Sequence, residues 1–169
     1  MAKVHDQWCQ CAVCTGARHE ALRQEIRENI RKHGFHITGV MANPEKWEPP
    51  FTYTTGLEDN YGHAEIVVYG IDPRTAAGIL HTAVDRIKSK TAFTPGVRYE
   101  GILKGFACAF VEVPDVTARS TFLAAYPYQV TERVRVLQLV WPDINGLFPW
   151  EEGFDATFRR LQPILTSNN

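Results

Sequence analysis

A chain of 169 residues with 44% hydrophobic residues is long enough to bury one substantial core, which indicates a single globular domain. The formal net charge of -1 comes without a clustered basic excess, so the composition disfavours nonspecific binding to nucleic acid. No run approaches the roughly 18 apolar residues of a membrane-spanning helix. No secretory pattern is present, and we expect the cytoplasm, where clustered cysteines indicate metal or redox chemistry more than disulfides.

The first feature along the chain is a cysteine cluster, CQCAVCTGARH, at residues 9–19. Structural zinc takes four tetrahedral sulfur and imidazole ligands, and a Cys-x2-Cys spacing can place two thiolates on one ion. The predicted zinc ligands are Cys9, Cys11, Cys14 and His19. A histidine from elsewhere can replace one of them: His5, His33 or His36. The second pair of a zinc knuckle is missing, so bound zinc, thiol redox or cluster chemistry, and an arm without cofactor all stay open.

Residues 1–16 are predicted to form an irregular Cys-rich arm, and residues 17–169 a single domain. Helical periodicity begins near Ala17, since Leu22, Ile26 and Ile30 are spaced by four and form one apolar stripe. Gly34 is typical of a helix end. Two strands with a loop between them are then predicted, FHITGVM and FTYTTGL, and the proline-rich ANPEKWEPP forms that loop.

The middle of the chain mixes strands and helices. EDNYGH is predicted to be a turn and AEIVVYG a buried strand, after which Asp72-Pro73 begins a helix as N-cap and first residue. GILKGFACAFVEV is predicted to be one long strand that ends before Pro114, with Cys108 as a buried structural cysteine. TARSTFLAAY is predicted to be a short helix.

The last part contains the strand VRVLQLVW, a structured turn PDINGLFPWEEGF and a short helix around residues 154–161. The connection between FTYTTGL and AEIVVYG is short enough for a hairpin, which disfavours a doubly wound parallel sheet. We therefore predict an α+β domain with a mainly antiparallel sheet and helices packed on one face.

Polar residues in or beside the apolar strands are candidates for a binding site. Glu65 begins a strand, Gln138 lies inside another, and Asp143 follows its end. A structural interpretation is that Gln138 ties down a loop, Glu65 caps an edge and Asp143 forms a turn. The functional interpretation is a ligand pocket with aromatic walls and polar anchors. The residues of that pocket are Tyr53, Thr55, Glu65, Gln138, Trp141, Asp143 and Trp150.

These segments also resemble a known family. In chain order, HGFHITGV, PFTYTTGL, AEIVVYGI, LQLVWPDINGLFPWEEGF and LQPIL are similar to the bacterial and phage family called domain of unknown function 4262. The similarity extends from Cys11 to Leu165, although Ala64-Glu65 replaces the usual proline–acid pair and Cys9 is additional. The resemblance implies one domain in a bacterial or phage protein. It brings no established activity, so no catalytic residue is carried over.

Three functions follow from these observations as hypotheses. The first is a binding or regulatory domain without enzymatic activity, whose Cys-rich arm is stabilised by Zn2+ and whose partner is a protein or a small molecule. The second is a small enzyme in which Glu65 or Asp143 acts as acid or base near Tyr53. The third is a thiol redox or metal-handling protein that uses the clustered cysteines.

Overall fold

A computed structural model describes residues 12–115, 117–118 and 135–166 of the chain. The α-helices whose bounds are described are α1 (Ala12–His33), α2 (Leu57–Tyr61) and α3 (Pro73–Lys88), and residues 115 and 117–118 are helical as well. The strands are β1 (His36–Val40), β2 (Phe51–Thr55), β3 (Glu65–Tyr69), β4 (Arg98–Tyr99), β5 (Cys108–Val113) and β6 (Val136–Val140). Short 3-10 helices span Pro44–Lys46 and Ala156–Arg160. No helix of the described part has the length and apolarity needed to cross a membrane.

The six strands form one mixed sheet in the order β1-β2-β3-β6-β5-β4. The β3–β6 pair is parallel and the other four strand pairs are antiparallel, so the predicted α+β fold with a mainly antiparallel sheet is confirmed. The chain leaves β3 through α3 and returns to β6 after β4 and β5. The carboxyl ends of β3 and β6 therefore meet at the same edge of the sheet, where Gly70 and Trp141 follow the two strands.

Helix α3 covers one face of the sheet. Its N-cap is Asp72, as predicted, and the Asp72 side chain accepts a hydrogen bond of 3.2 Å from the amide of Thr75. The helix then buries one apolar stripe against the strands: Ala76, Leu80, Ala83, Val84 and Ile87. The strand residues that this stripe covers include Ile66, Val68, Leu137, Leu139, Cys108 and Phe110. Cys108 is fully buried there, as the sequence predicted.

The opposite face of the sheet is covered in part by the C-terminal segment, and the helical residue Ala118 is buried in the same cluster. Ile164 and Leu165 pack against the apolar side chains on that face. The face includes Tyr53, Val67 and Val136 among its buried residues. The core therefore lies on both faces of the sheet, and the chain from Gln162 to Leu165 covers part of the second face.

Three local predictions were wrong. Helix α1 begins at Ala12 rather than near Ala17, because Gly16 costs a helix only about 1 kcal/mol and does not stop it. The turn predicted at EDNYGH is largely the short helix α2. The long strand predicted from Gly101 begins only at Cys108, because Gly101 and Gly105 have φ values of 74° and 81°, which an extended strand does not contain. The predicted helix TARSTFLAAY lies largely outside the described residues.

Candidate functional site

Glu65 binds the segment that connects β2 to α2. Its Oε1 atom accepts hydrogen bonds of 2.8 Å from the amides of Gly56 and Leu57, and Thr54 Oγ1 donates to Oε2 at 2.7 Å. Burial raises the pKa of Glu65 to about 7, whereas the hydrogen bonds donated to the carboxyl group oppose the rise. The carboxylate therefore caps the N-terminus of α2, which is a structural role.

Gln138 lies in the middle of β6 and fastens the C-terminal segment to the sheet. Its Oε1 atom accepts from the amide of Leu165, and its Nε2 atom donates to the carbonyl of Pro163, both at 2.8 Å. Gln138 pairs with Val67, which in turn pairs with Tyr53, so the three residues form one row across the sheet. The amide is fully buried in this row and reaches backbone atoms rather than a cavity.

Asp143 organises the turn that follows β6. Its Oδ1 atom accepts from the amides of Asn145 and Leu147 at 2.8 and 3.0 Å, and Oδ2 accepts from the amide of Asp155 at 3.0 Å. Desolvation raises the pKa of Asp143, but these three amide donors outweigh it and hold the pKa below its ordinary value. The side chain is buried and joins two ends of one loop, which matches the structural interpretation of the sequence.

The structure does not bring the predicted pocket residues together. Glu65 pairs with Val136 at the start of β6, whereas Asp143 follows the end of that strand, so the two residues lie at opposite ends of β6. Thr55 and Tyr53 are buried in the sheet, and Trp150 stacks on a neighbouring phenylalanine outside it. Trp141 does line a surface cavity, beyond the carboxyl end of β6.

The predicted zinc ligands lie at the far N-terminal end of α1 or before it. Cys9, Cys11 and the Cys14 side chain are outside the described residues, and His19 is exposed on α1. His19 lies five positions after Cys14 in the helix, which turns the two positions by about 140° around the axis. The two residues therefore do not share a face of α1. Among the described residues no group of three metal-ligating side chains occurs.

Two of the alternative zinc ligands can be placed by the length of α1. Cys14 and His33 are separated by 19 residues of this helix, which corresponds to about 28 Å. His36 lies close to the same end, because its Nδ1 atom is 2.9 Å from Asn29 Nδ2. Within one chain, both histidines therefore lie at the other end of α1 from Cys14. His5 lies outside the described residues.

A groove of about 990 Å³ lies beside the proline-rich loop before β2. We call it the Trp47 groove and define it by six residues of its lining: Trp47, Pro49, Pro50, Arg159, Arg160 and Leu161. The loop residues form one wall and the 3-10 helix Ala156–Arg160 with the residues after it forms the other. The groove is open to solvent and its walls are mostly apolar, with arginines on one side.

A second cavity of about 460 Å³ adjoins the first at Leu161, which lines both. We call it the Phe106 depression and define it by Gly70, Lys104, Phe106, Trp141, Phe158 and Leu161. The Trp141 Nε1 atom donates to the carbonyl of Tyr69 at 2.8 Å, and the Trp141 ring packs edge-on against Phe158. The depression therefore lies directly over the carboxyl ends of β3 and β6.

Large apolar side chains are exposed along these two cavities. Trp47 is 84% exposed, and Phe106 and Leu161 are each 43% exposed. Contiguous exposed apolar surface on a small soluble protein marks an interaction site more often than isolated exposed residues do. We refer to the Trp47 groove and the Phe106 depression together as the carboxyl-end surface.

A smaller cleft of about 360 Å³ lies near the opposite end of β1, between α1 and α3. Three histidines line it, together with Glu25 and Asn29: His33, His36 and His81. Burial lowers the pKa of His36, and the nearby Glu25 carboxylate opposes that shift. Asn29 holds the His36 ring, and the His81 ring packs edge-on against Phe35. These contacts give His36 and His81 a packing role.

The fold and the surface together define a small α+β domain with a six-stranded mixed sheet and an apolar, cation-flanked surface at the carboxyl ends of its parallel strands. The chain belongs to the family described as Domain of unknown function (DUF4262), whose model matches residues 29–155. No curated protein and no solved structure matches the chain.

The carboxyl-end surface was missed in the sequence because its parts are far apart in the chain. Trp47 and Arg159 are separated by more than a hundred residues and meet only through the fold. One local signal was present. A tryptophan within a loop of charged residues and prolines, PEKWEPP, has no regular apolar neighbours to pack on, which predicts an exposed ring.

Proposed function

We propose that this chain is a binding domain without enzymatic activity, and that its carboxyl-end surface holds the partner. The observation that carries the proposal is the exposure of Trp47, Phe106 and Leu161 along two adjoining cavities. In open α/β sheets, ligands commonly bind outside the carboxyl ends of the parallel strands, and β3 and β6 form such a parallel pair here. The position of the surface beyond β3 and β6 supports the proposal on the same ground.

The chemistry of the surface favours binding over catalysis. In the described part of the chain, the lining of both cavities contains no histidine and no cysteine, and its one carboxylate is Glu48. A general acid–base pair needs two titratable groups within reach of one substrate. Glu65 and Asp143, which the enzyme hypothesis requires, lie at opposite ends of β3 and β6 and bind backbone amides. We therefore favour the binding hypothesis.

Selection from a library of random peptides displayed on phage tests this proposal. Clones enriched on the wild-type domain are retested on Trp47→Ala, with Lys90→Gly as the control. Lys90 also has a positive φ of 71°, but it lies beyond the end of α3 and away from the carboxyl-end surface. We expect enriched clones to lose binding on Trp47→Ala and to keep it on Lys90→Gly. Absence of enrichment, or clones that bind Trp47→Ala equally well, would contradict the proposal.

We also propose that the Cys-rich arm binds one zinc ion, with Cys11 and Cys14 as its principal ligands. The support is their Cys-x2-Cys spacing, together with the additional thiol of Cys9. Since His19 does not share a face of α1 with Cys14, the remaining ligand comes from residues before α1 or from a second chain. Such an ion would order the arm as a contact element beside the binding domain.

Elemental analysis of protein purified without chelator tests the zinc proposal. We expect zinc in stoichiometric amount, which the double variant Cys11→Ser/Cys14→Ser loses and the Cys108→Ala control keeps, because Cys108 lies in the core. Wild-type protein without metal would contradict the proposal. Thiols of the arm that titrate differently under oxidising and reducing conditions would support redox chemistry instead.

A further inference from the structure

Trp47 occupies a position that stability alone does not explain. Its φ and ψ are 56° and 31°, in the left-handed region that bulky residues rarely adopt. That conformation costs a residue with a side chain roughly 1–2 kcal/mol. The ring contributes little packing energy to offset this cost, because 84% of the residue is exposed. Glycine or asparagine would suit the backbone better, so the tryptophan contributes something other than stability.

The turn around Trp47 holds this backbone in place. The Asn43 side chain caps the short 3-10 helix by accepting from the amide of Lys46, and the Trp47 amide donates to the carbonyl of Pro44 at 3.3 Å. Asn43 and Glu48 are also joined by two backbone hydrogen bonds, of 2.9 and 3.0 Å. The indole is therefore carried on a closed turn at the side of the groove. A ligand that contacts it does not have to order the turn first.

The other wall of the Trp47 groove supplies positive charge. Arg159 and Arg160 lie in adjacent positions at the end of the 3-10 helix, and the Arg159 guanidinium lies 5.4 Å from the ring centroid of Phe154. Lys104 adds a third cation in the adjoining Phe106 depression. Within the ranges that the structure describes, the lining of both cavities contains these three cations and only one carboxylate, Glu48. The surface is thus complementary to an apolar ligand that carries negative charge.

We propose that the carboxyl-end surface binds an extended acidic peptide segment of a partner protein. An apolar or aromatic side chain of the peptide packs on Trp47, and its carboxylates pair with Arg159 and Arg160 in the bidentate geometry that arginine favours. The Phe106 depression takes a further apolar side chain beyond Leu161. This inference rests on the proposed binding function and adds the chemical class of the partner.

The shape of the surface favours a peptide over an enclosed small molecule. Both cavities are open along one side, and they adjoin at Leu161 rather than closing around a single volume. Pockets for small ligands commonly bury most of the ligand's surface. An extended chain can lie across Leu161 with alternate side chains in the two cavities, and its remaining surface stays covered by its own protein or by water.

Fluorescence anisotropy with three labelled peptides tests the inference. Each peptide has about ten residues, because an extended chain rises roughly 3.3 Å per residue and this length allows it to reach both cavities. The peptides share the same leucines and phenylalanine and differ only in the polar positions, which are acidic, neutral or basic. We expect the acidic peptide to bind at least roughly tenfold more tightly than the neutral one. Its affinity should fall as the salt concentration rises, because the arginine contacts are exposed to solvent.

Matched variants locate the binding. Arg159→Ala/Arg160→Ala should weaken the acidic peptide roughly tenfold or more and bring it close to the neutral one. The control Arg31→Ala/Lys32→Ala removes two adjacent cations at the end of α1, at the other end of β1, and should leave the affinity unchanged. Trp47→Ala should abolish binding of the acidic peptide, and Trp47→Phe should restore most of it, since the phenyl ring keeps an aromatic face.

The possible outcomes distinguish the acidic-peptide inference from the proposed binding function on which it rests. Equal affinity for acidic and neutral peptides, with loss of both on Trp47→Ala, would overturn the acidic partner and leave the binding surface in place. If no peptide gives saturable binding that depends on Trp47, both are overturned. Self-association of the free protein that Trp47→Ala abolishes would place a second copy on the surface and would also overturn the peptide assignment.

Discussion

Gln138 accepts a hydrogen bond from the amide of Leu165 at 2.8 Å, and through this contact a strand at the centre of the sheet holds the C-terminal segment. The same side chain donates to the carbonyl of Pro163. Leu161 and Arg160, which line the Trp47 groove, lie only a few residues before these contacts. The position of the carboxyl-end surface therefore depends on a polar side chain buried in the core.

Replacement of Gln138 with leucine should destabilise the protein by about 1 to 3 kcal/mol, because the partly buried Leu165 amide and Pro163 carbonyl lose their hydrogen-bond partner. The free energy of unfolding from urea titration measures this loss. Gln24→Leu is the matched control, since Gln24 is exposed on α1 and the change there should alter stability by less than about 0.5 kcal/mol. A Gln138→Leu variant as stable as the control would contradict this account of the segment.

Gly70 sets the distance between the end of β3 and the segment that carries Leu161. Its φ is 76°, and a Cβ atom at this position would lie 2.3 Å from the carbonyl oxygen of Leu161. Gly70→Ala should therefore cost about 3 kcal/mol or more, as backbone strain and steric overlap add. Gly146 has φ 82° and no heavy atom within 4 Å of its Cβ position, so Gly146→Ala should cost only about 1 kcal/mol of strain. Equal losses in the two variants would show that the contact with Leu161 is unimportant.

Trp47→Gly should make the protein more stable by about 0.5 to 1 kcal/mol, since relief of the left-handed strain exceeds the added freedom of the unfolded chain. Trp47→Ala keeps the strain and should stay within about 0.5 kcal/mol of the wild type. Thermal or urea unfolding distinguishes the two. A clear loss of stability in Trp47→Gly would mean that the indole supports the fold, and would remove the main argument for its role in binding.

His63 should make stability depend on pH. Its Nε2 atom accepts from the amide of Phe93 at 3.1 Å, and its Nδ1 atom therefore carries the hydrogen that is donated to the carbonyl of Ala64 at 2.7 Å. Burial lowers the pKa of His63, a shift that the hydrogen bond to Ala64 opposes. The unfolded chain thus binds the proton more readily than the folded protein, and stability falls as the pH drops below about 6.5.

Urea unfolding at about pH 7.5 and about pH 5.5 measures this effect, and His63→Gln should lose less stability between the two than the wild type does. Glu65 changes stability in the opposite direction as the pH drops, because its raised pKa lets the folded protein keep a proton that the unfolded chain has released. That contribution, like that of His36, is present in both proteins and cancels in the comparison. Identical pH dependence in the two proteins would contradict the assigned contacts of His63.

The strands with continuous apolar runs, β3 and β6, were predictable, as was the N-cap Asp72, because burial and local backbone geometry determine them. The turn role of Asp143 also followed from its neighbours in the chain. The irregular loop from Gly101 was not predictable from apolar content, since two left-handed glycines decided it. The groove between Trp47 and Arg159 was beyond local reasoning, because only the folding of the C-terminal segment brings these residues together.

The most direct test of the binding surface is a two-dimensional 1H–15N NMR titration of the domain with the acidic peptide. We predict shifts of the Trp47 indole signal and of the backbone amides of Arg159, Arg160 and Leu161, while the signals of His33 and His81 in the opposite cleft stay in place. Shifts confined to that cleft, or an unchanged Trp47 signal at saturating peptide, would contradict the account.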